Sequence, residues 1–295
     1  MAAYRKSPAE RLFDGCNVIV LLLLAIVTLY PMLHVLAASL SDSNRLMSHQ
    51  GPLLLPIGLQ TEAYKLVLQN PNLLTGYRNT LTLVIAGTAF NVFMTALGAY
   101  ALSRKDVYWS RPLMVLIVMT MFFGGGLIPT YLLVYKTLHL GNSLLALIFP
   151  GAISTWNLIV MRTSFKQIPE SLIESARMDG AGDIGILFRI VLPLSMPIIS
   201  VMILFYGVGH WNSWFGAMIY LRERSLFPLQ LILREILIQN NTDSMMTGVG
   251  SLDKQSVSES IKYATIVVAT APVLFVYPFL QKYFVKGVMI GALKE

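Results

Sequence analysis

The groups in this chain able to do covalent chemistry are few and scattered. Its four histidines, His34, His49, His139 and His210, form no HExxH pair, no GxxxxGK[ST] phosphate loop or GxSxG turn occurs, and Cys16 is the single cysteine. No catalytic residue and no metal ligand is assigned. Two stretches carry residue types suited to recognition instead. Tyr206, His210, Trp211, Asn212 and Trp214 put aromatic faces beside amide and imidazole groups. That pairing suits a sugar ring, with its apolar C–H faces and hydroxyl edges, and it equally fits an aromatic belt at a membrane surface. Phe122, Phe123, Gly124 and Gly125, in the run FFGGG, interrupt an apolar segment. Non-helical backbone at membrane depth is tolerated only where protein or a water-filled cavity satisfies it, so this break reads as a pathway lining or as a glycine packing hinge. Asn91 and the pair Trp156-Asn157 read as further pathway residues or, the commoner case, as interhelical hydrogen-bonding groups.

A third stretch, IPESLIESARMDGAGDIGILFRIVLPLSMP from 168 to 197, is the longest polar interruption flanked by basic residues in an otherwise very apolar sequence. Pro169 suits a first helical position, Glu170 favours the positive end of a helix dipole, and Leu172, Ile173 and Ala176 fall on one face opposite Glu170, Glu174 and Arg177. Asp179-Gly180 closes that helix, because glycine reaches the left-handed conformation. Asp183 is placed to cap a second helix running to about Leu192, ahead of Pro193. A helix so short is marginal in water and must be held by packing.

The elements that position these stretches follow from composition. The 295 residues are 55% hydrophobic and 13% charged, with mean hydropathy +0.65, far below the roughly 25% charged content of soluble domains. The chain reads as an all-α polytopic membrane protein, a single permease domain over 1–295. Its six transmembrane helices are placed at about 16–39, 79–102, 112–135, 143–161, 198–221 and 261–280. The first apolar run is too long for a cleaved leader, and Pro31 is expected to kink it. Within the loop 41–77 an amphipathic stretch is expected from Thr61 to Gln69. Span interiors hold almost no ionisable groups, which counts against a buried proton relay and leaves a pathway driven from outside the chain. The net charge of +7 is read as basic flanks of spans, not as a nucleic-acid surface.

Six spans put both termini on one side. Arg5, Lys6, Arg11, Arg104, Lys105, Arg111, Arg162, Lys166, Arg177, Arg189, Lys282, Lys286 and Lys294 fall on that side. Arg45, Lys65, Arg78, Lys136, Arg222, Arg224, Arg234, Lys254 and Lys262 fall on the other, largely in the long loops 41–77 and 222–259. The positive-inside rule makes the thirteen cytoplasmic against the nine. Both termini and the stretch 168–197 are then cytoplasmic, and the two long loops extracytoplasmic.

ESARMDGAG followed by FRIVLP resembles the cytoplasmic EAA loop of binding-protein-dependent ABC importer permeases. Glu174, Ala176, Asp179, Gly180, Ala181, Ile190, Leu192 and Pro193 match its pattern, and Ser175 replaces the usual first alanine. HWNSWFGAMIYL, LIPTYLLVYKTLHLGNS and YFVKGVMIGALKE are similar to the carbohydrate-importing, MalG-like subgroup, and FFGGGLIPTYLL and VKGVMIGALK to its LplC/YtcP type of Gram-positive bacteria. The resemblance implies a MetI-like permease fold in a bacterial cytoplasmic membrane and uptake of oligosaccharides, acidic or polysaccharide-derived. The implied partners are a second homologous permease, two ATP-binding subunits carrying ATP and Mg, an extracellular sugar-binding protein and membrane lipids. It implies no cofactor in this chain. The coupling residues it implies are Glu170, Leu172, Ile173, Glu174, Ala176, Asp179, Gly180 and Ala181. Glu174 would make the polar contact in the ATPase cleft, Leu172, Ile173 and Ala176 would pack there, and Gly180 would permit the turn. The tail 286–295 is expected to reach the ATPase pair, and the loop 226–259 to face the binding protein.

Overall fold

The structure, a computed structural model, describes residues 7–238 and 254–292; the first six residues, the centre of the long loop 222–259 and the last three residues of the tail lie outside the described residues. The described chain is helical, with no strand beyond one isolated bridge between Ser41 and Leu59. Its contacts gather into two compact units, 1–70 with 236–270 and 71–235 with 271–295.

The first unit opens on α1, Pro8–Ser39. Its start is fully specified locally. The Ser7 hydroxyl accepts the Glu10 N–H, the Glu10 carboxylate accepts the Ser7 N–H, and Pro8 occupies the first turn. The helix runs on through Pro31 without a break, and its most apolar window is bare of protein contact, as a lipid-facing helix is. It ends at Ala37, Ala38 and Ser39, buried against Leu53 and Tyr263. Ser41 then ties the following loop down, its hydroxyl donating to the Ala37 carbonyl and accepting the Ile57 N–H. The short helices α2 (Ser43–Ser48) and α3 (Glu62–Gln69) follow, the second matching the amphipathic stretch read from the sequence.

The second unit contains the functional stretches. Its central helix, α4, is continuous from Pro71 to Ser103, so the second span begins eight residues earlier than expected, inside what read as loop. Proline at its first position lets it start there. Asn79 donates to the Ser225 and Phe227 carbonyls and Thr80 accepts the Leu229 N–H, which anchors the early turns to the segment leading into α13 (Leu229–Ile238). Gly76 lets Ile232 approach within 2.6 Å of where a β-carbon would stand.

Three spans are broken. α5 (Ser110–Phe122) and α6 (Leu127–Thr137) meet at 110° across the triple glycine, with Gly126 at φ +80°. α7 (Leu145–Gly151) and α8 (Thr155–Phe165) meet at 54°. After α9 (Glu170–Met178), α10 (Asp183–Leu194) and α11 (Met196–Trp211) meet at 87° at Ser195. Counting each broken pair as one crossing, the described residues hold six segments long and apolar enough to span a membrane, the number the sequence predicts. The fifth span ends at Trp211, ten residues short of its expected end, and the chain re-forms helix as α12, Phe215–Tyr220. The last helix, α14, runs from Lys254 to Ala292 through Pro272 and Pro278.

The core of this unit lies where α4, α8 and α11 pack together. Ala96, Ala99, Leu158, Met161 and Met202 are its buried centre, and Ile173, Ile186, Leu187 and Val191 extend it under the polar stretch. Small residues on α4 allow the close approach.

Candidate coupling surface and polar core

α9 forms where the sequence places it. Pro169 stands one position outside, as the N-cap with ψ 129°, because an extended residue there leaves its carbonyl free to accept the Leu172 N–H. At the other end Gly180 has φ +81°; its N–H donates to the Arg177 carbonyl, and the Ala181 N–H reaches back to Ala176 at 2.9 Å. This is a Schellman closure, which requires a residue able to hold the left-handed conformation. Asp183 does not cap α10: the N-cap is Gly182, and the Asp183 carboxylate is committed sideways to the Arg177 guanidinium at 3.0 Å. Arg177 also donates to Asp106 at 2.9 Å, so one guanidinium clasps the α4–α5 loop to both sides of the glycine turn. Lys105 pairs with Glu170 at the start of the same helix.

The burial of α9 divides the expected docking residues into two groups. Ile173 is buried, and Ala176 and Ala181 are half-buried, all against the core of this chain's own membrane unit. They hold the helix and do not face outward. Leu172, Glu174 and Asp179 are exposed, and so is Met178, at 89% the most exposed apolar side chain on the helix. Met178 lies four residues beyond Glu174 on one face; that spacing was readable, but a face defined by charge hides a methionine.

Arg177 holds the Asp106 carboxyl below the usual aspartate range, mainly through its hydrogen bond, against the opposing effect of desolvation. A carboxyl depressed in the folded state contributes fully above its ordinary value near pH 4 and loses that contribution as pH falls through the lower folded value. The clasp is therefore expected to give no step in stability between about pH 6 and 9. Arg177→Gln should cost under about 1 kcal/mol, because Arg177 and Asp106 are 42% and 49% exposed. Melting curves of the two proteins across pH check both statements.

The aromatic and amide residues of α11 lie mostly inside. The Tyr206 hydroxyl accepts the Ser154 N–H at 2.9 Å and shares a 2.6 Å hydrogen bond with Thr95. Asn91 donates to the carbonyls of Gly151 at 2.6 Å and Ala152 at 2.9 Å, and its own oxygen stands 2.7 Å from His210 Nε2. With both amide hydrogens of Asn91 so engaged, its oxygen is the acceptor and His210 the donor. The break between α7 and α8 frees backbone groups, and side chains from α4 and α11 take up three of them. A bare break within a bilayer would leave them unsatisfied at several kcal/mol each. A wide i→i+5 turn at Leu83–Gly87 and the missing side chain of Gly87 make room for the His210 ring, whose Nε2 is 2.6 Å from where a β-carbon would be. Trp211 is buried, edge-on to Tyr77. Asn212 caps α11 by donating to Val208.

Trp214 remains partly exposed, with the Arg234 guanidinium 5.1 Å above its ring. Phe122 and Phe123 are each 77% exposed and Gly124 has nothing within 4 Å of a would-be β-carbon. Of the path residues read from sequence, the structure thus leaves Phe122, Phe123, Gly124, Gly125, Asn212 and Trp214 accessible and makes Tyr206, His210 and Trp211 internal. Asn142, not singled out in the sequence, joins the α6–α7 loop to the chain after α12. Its oxygen accepts the N–H groups of Arg222 and Glu223 from a left-handed position, φ 56°, which the Gly141-Asn142 pair signals. Among the described residues no group of side chains could hold a metal.

Residues 1–290 match the family described as the binding-protein-dependent transport system inner membrane component. The chain is 42% identical to the polygalacturonan/rhamnogalacturonan transport system permease protein YtcP of Bacillus subtilis (strain 168), over 97% of this chain and 99% of the relative. It is 39% identical to Protein LplC of the same organism, over 97% and 96%. A chain in the crystal structure of a bacterial ABC transporter involved in the import of the acidic polysaccharide alginate superposes with TM-score 0.87 at 30% identity, covering 96% of this chain and all of that one.

Proposed function

The chain belongs to the family of binding-protein-dependent transport system inner membrane components, and from that premise we propose that it is the permease subunit through which an ATP-driven importer takes up acidic, polysaccharide-derived oligosaccharides. The observation that carries the solute class is the 42% identity, across nearly the whole chain, to a permease named for polygalacturonan and rhamnogalacturonan. An alginate importer as structural relative points to the same chemistry, a uronic acid chain. Two cations agree with it: the half-buried Arg234 lies over the Trp214 ring and the exposed Arg222 over that of Tyr135 at 5.0 Å, so positive charge accompanies aromatic surface at both places.

The partners are a second homologous permease, two ATP-binding subunits that carry ATP and Mg, and an extracellular binding protein. α9 is the coupling helix, cytoplasmic together with both termini, and its outward residues Leu172, Glu174, Met178 and Asp179 enter the ATPase cleft. An open apolar groove of 570 Å³ between α4 and α10–α11, lined by Val84, Phe93, Phe188 and Ile203 among others, offers a seat within the membrane for a helix of the second permease. The bare glycine break at 123–126 faces the pathway, where water or solute hydroxyls meet its backbone. ATP binding closes the ATPase pair, α9 moves with its cleft as a rigid body through Ile173 and the Arg177 clasp, and the broken spans rock about the fixed polar core.

Competition in cells defines the solute. Uptake of labelled oligogalacturonide should be blocked by unlabelled oligogalacturonide and spared by neutral arabino-oligosaccharides or amino acids. Equal competition by an amino acid or a neutral sugar would remove the acidic-oligosaccharide reading.

A further inference from the structure

Three spans end together beside α9: α4 at Ser103, α5 beginning at Ser110, and α8 at Phe165. One carbonyl joins them. Leu102 accepts Arg162 Nε at 2.8 Å and the Ser110 hydroxyl at 2.9 Å, which fixes Arg162 in the last turn of α8 against the first turn of α5, where Arg111 sits. Lys166 follows Arg162 by four residues and shares its side of the chain. The other cations here have carboxylate partners, Arg104 in Asp106, Lys105 in Glu170 and Arg177 in Asp106 and Asp183. Arg111, Arg162 and Lys166 are in none of the ion pairs among the described residues.

The three are near enough to act on one another. Desolvation first, and then the charges of Arg162 and Arg111, hold the Lys166 ammonium below the usual lysine range. Lys166 also walls a depression of 220 Å³ with Ser103, Arg104, Phe165 and the Lys105–Glu170 pair. On the adjoining loop Tyr108 and Trp109 are 91% and 64% exposed, their rings edge-to-face at 5.9 Å. Aromatic residues with an apolar body and a polar tip settle at the headgroup level of a bilayer.

We propose that Arg111, Arg162 and Lys166, beside Trp109, form a binding site for the phosphate headgroup of an anionic phospholipid at the foot of α9. Three positive charges at span ends lie at the depth of lipid phosphates and attract them. A protein partner is the poorer occupant, because the neighbouring outward face of α9 presents Glu174 and Asp179; a partner complementary to that face carries basic groups, which this cluster repels. The inference needs only that the chain is in a membrane, and is independent of which solute crosses it.

The test uses the purified full chain in detergent with brominated phosphatidylglycerol or brominated phosphatidylcholine, reading the quenching of Trp109 as the difference between wild type and Trp109→Phe. Phosphatidylglycerol should quench at much lower mole fraction than phosphatidylcholine. The double variant Arg111→Gln/Lys166→Gln should lose about 25-fold of that preference, near fivefold per charge removed. Arg111→Lys/Lys166→Arg should keep it, and inorganic phosphate at millimolar concentration should not displace the lipid. Equal quenching by the two lipids, an unchanged preference in the double glutamine variant with its melting point intact, or displacement by inorganic phosphate would each overturn the proposal.

Discussion

Replacing Gly180 with proline is expected to reduce both solute-stimulated ATP hydrolysis and uptake by at least tenfold in the assembled transporter. Proline fixes φ near −65°, whereas the turn requires +81°, and it deletes the N–H that donates to Arg177. The Schellman closure cannot form, so the chain between α9 and α10 must take another course and Arg177 loses its geometry on Asp183. Alanine provides the graded control. Nothing lies within 4 Å of its would-be β-carbon, so Gly180→Ala carries only the left-handed strain, roughly 1–2 kcal/mol, and should keep a measurable fraction of activity. Glu174→Lys separates docking from folding. It reverses an exposed charge with no ion pair to lose among the described residues, so melting should hold while stimulated hydrolysis falls. Measuring hydrolysis, uptake and co-purification of the ATPase for all three variants distinguishes a broken turn from a broken contact.

The second large effect lies in the polar core. Asn91→Leu leaves the Gly151 and Ala152 carbonyls and the His210 ring without their partner at once. Hydrogen bonds within membranes average below about 1 kcal/mol each, but loss of a buried partner costs about 1–3 kcal/mol per group, so a total near 3 kcal/mol is expected. The break between α7 and α8 should loosen, lowering the melting point in detergent and the rate of uptake together. Gly87→Val should act in the same direction by a different route. A β-carbon there stands 2.6 Å from His210 Nε2 and 2.8 Å from Cε1, so the ring must leave Asn91. Trp214→Ala removes a partly exposed ring and a cation–π contact, and its melting point should shift far less than either.

How much of this was legible depended on whether the signal was local. The Glu170–Met178 helix, Gly180 and the FFGGG break each rest on chemistry within a few residues, and each stands where the sequence placed it. The early start of α4 was hidden because Pro71 between two asparagines carries turn signals as strongly as a helix start; its tethers, Asn79 to Ser225 and Thr80 to Leu229, lie about 150 residues away. The direction of α9 was hidden in the same way. Periodicity put Ile173 and Ala176 on one face, but which body that face would meet, this chain's core or a partner, is a tertiary fact. Tyr206 and His210 were read by composition as sugar-facing or belt residues, whereas Tyr206 accepts from backbone freed by a break in another span and His210 donates to Asn91, the side chain that bonds the rest of that backbone. Asn91 was correctly typed as an interhelical donor, though no spacing could name Gly151 and Ala152 as its acceptors.

The central claim is that this chain conducts the solute while α9 transmits the work of ATP. Its most direct test is accumulation of labelled oligogalacturonide in proteoliposomes holding this chain, its companion permease and the ATPase pair, with binding protein outside and ATP inside. Accumulation that requires both and is lost with Gly180→Pro is the predicted result. Uptake at the same rate without ATP, or from vesicles lacking this chain, would contradict it.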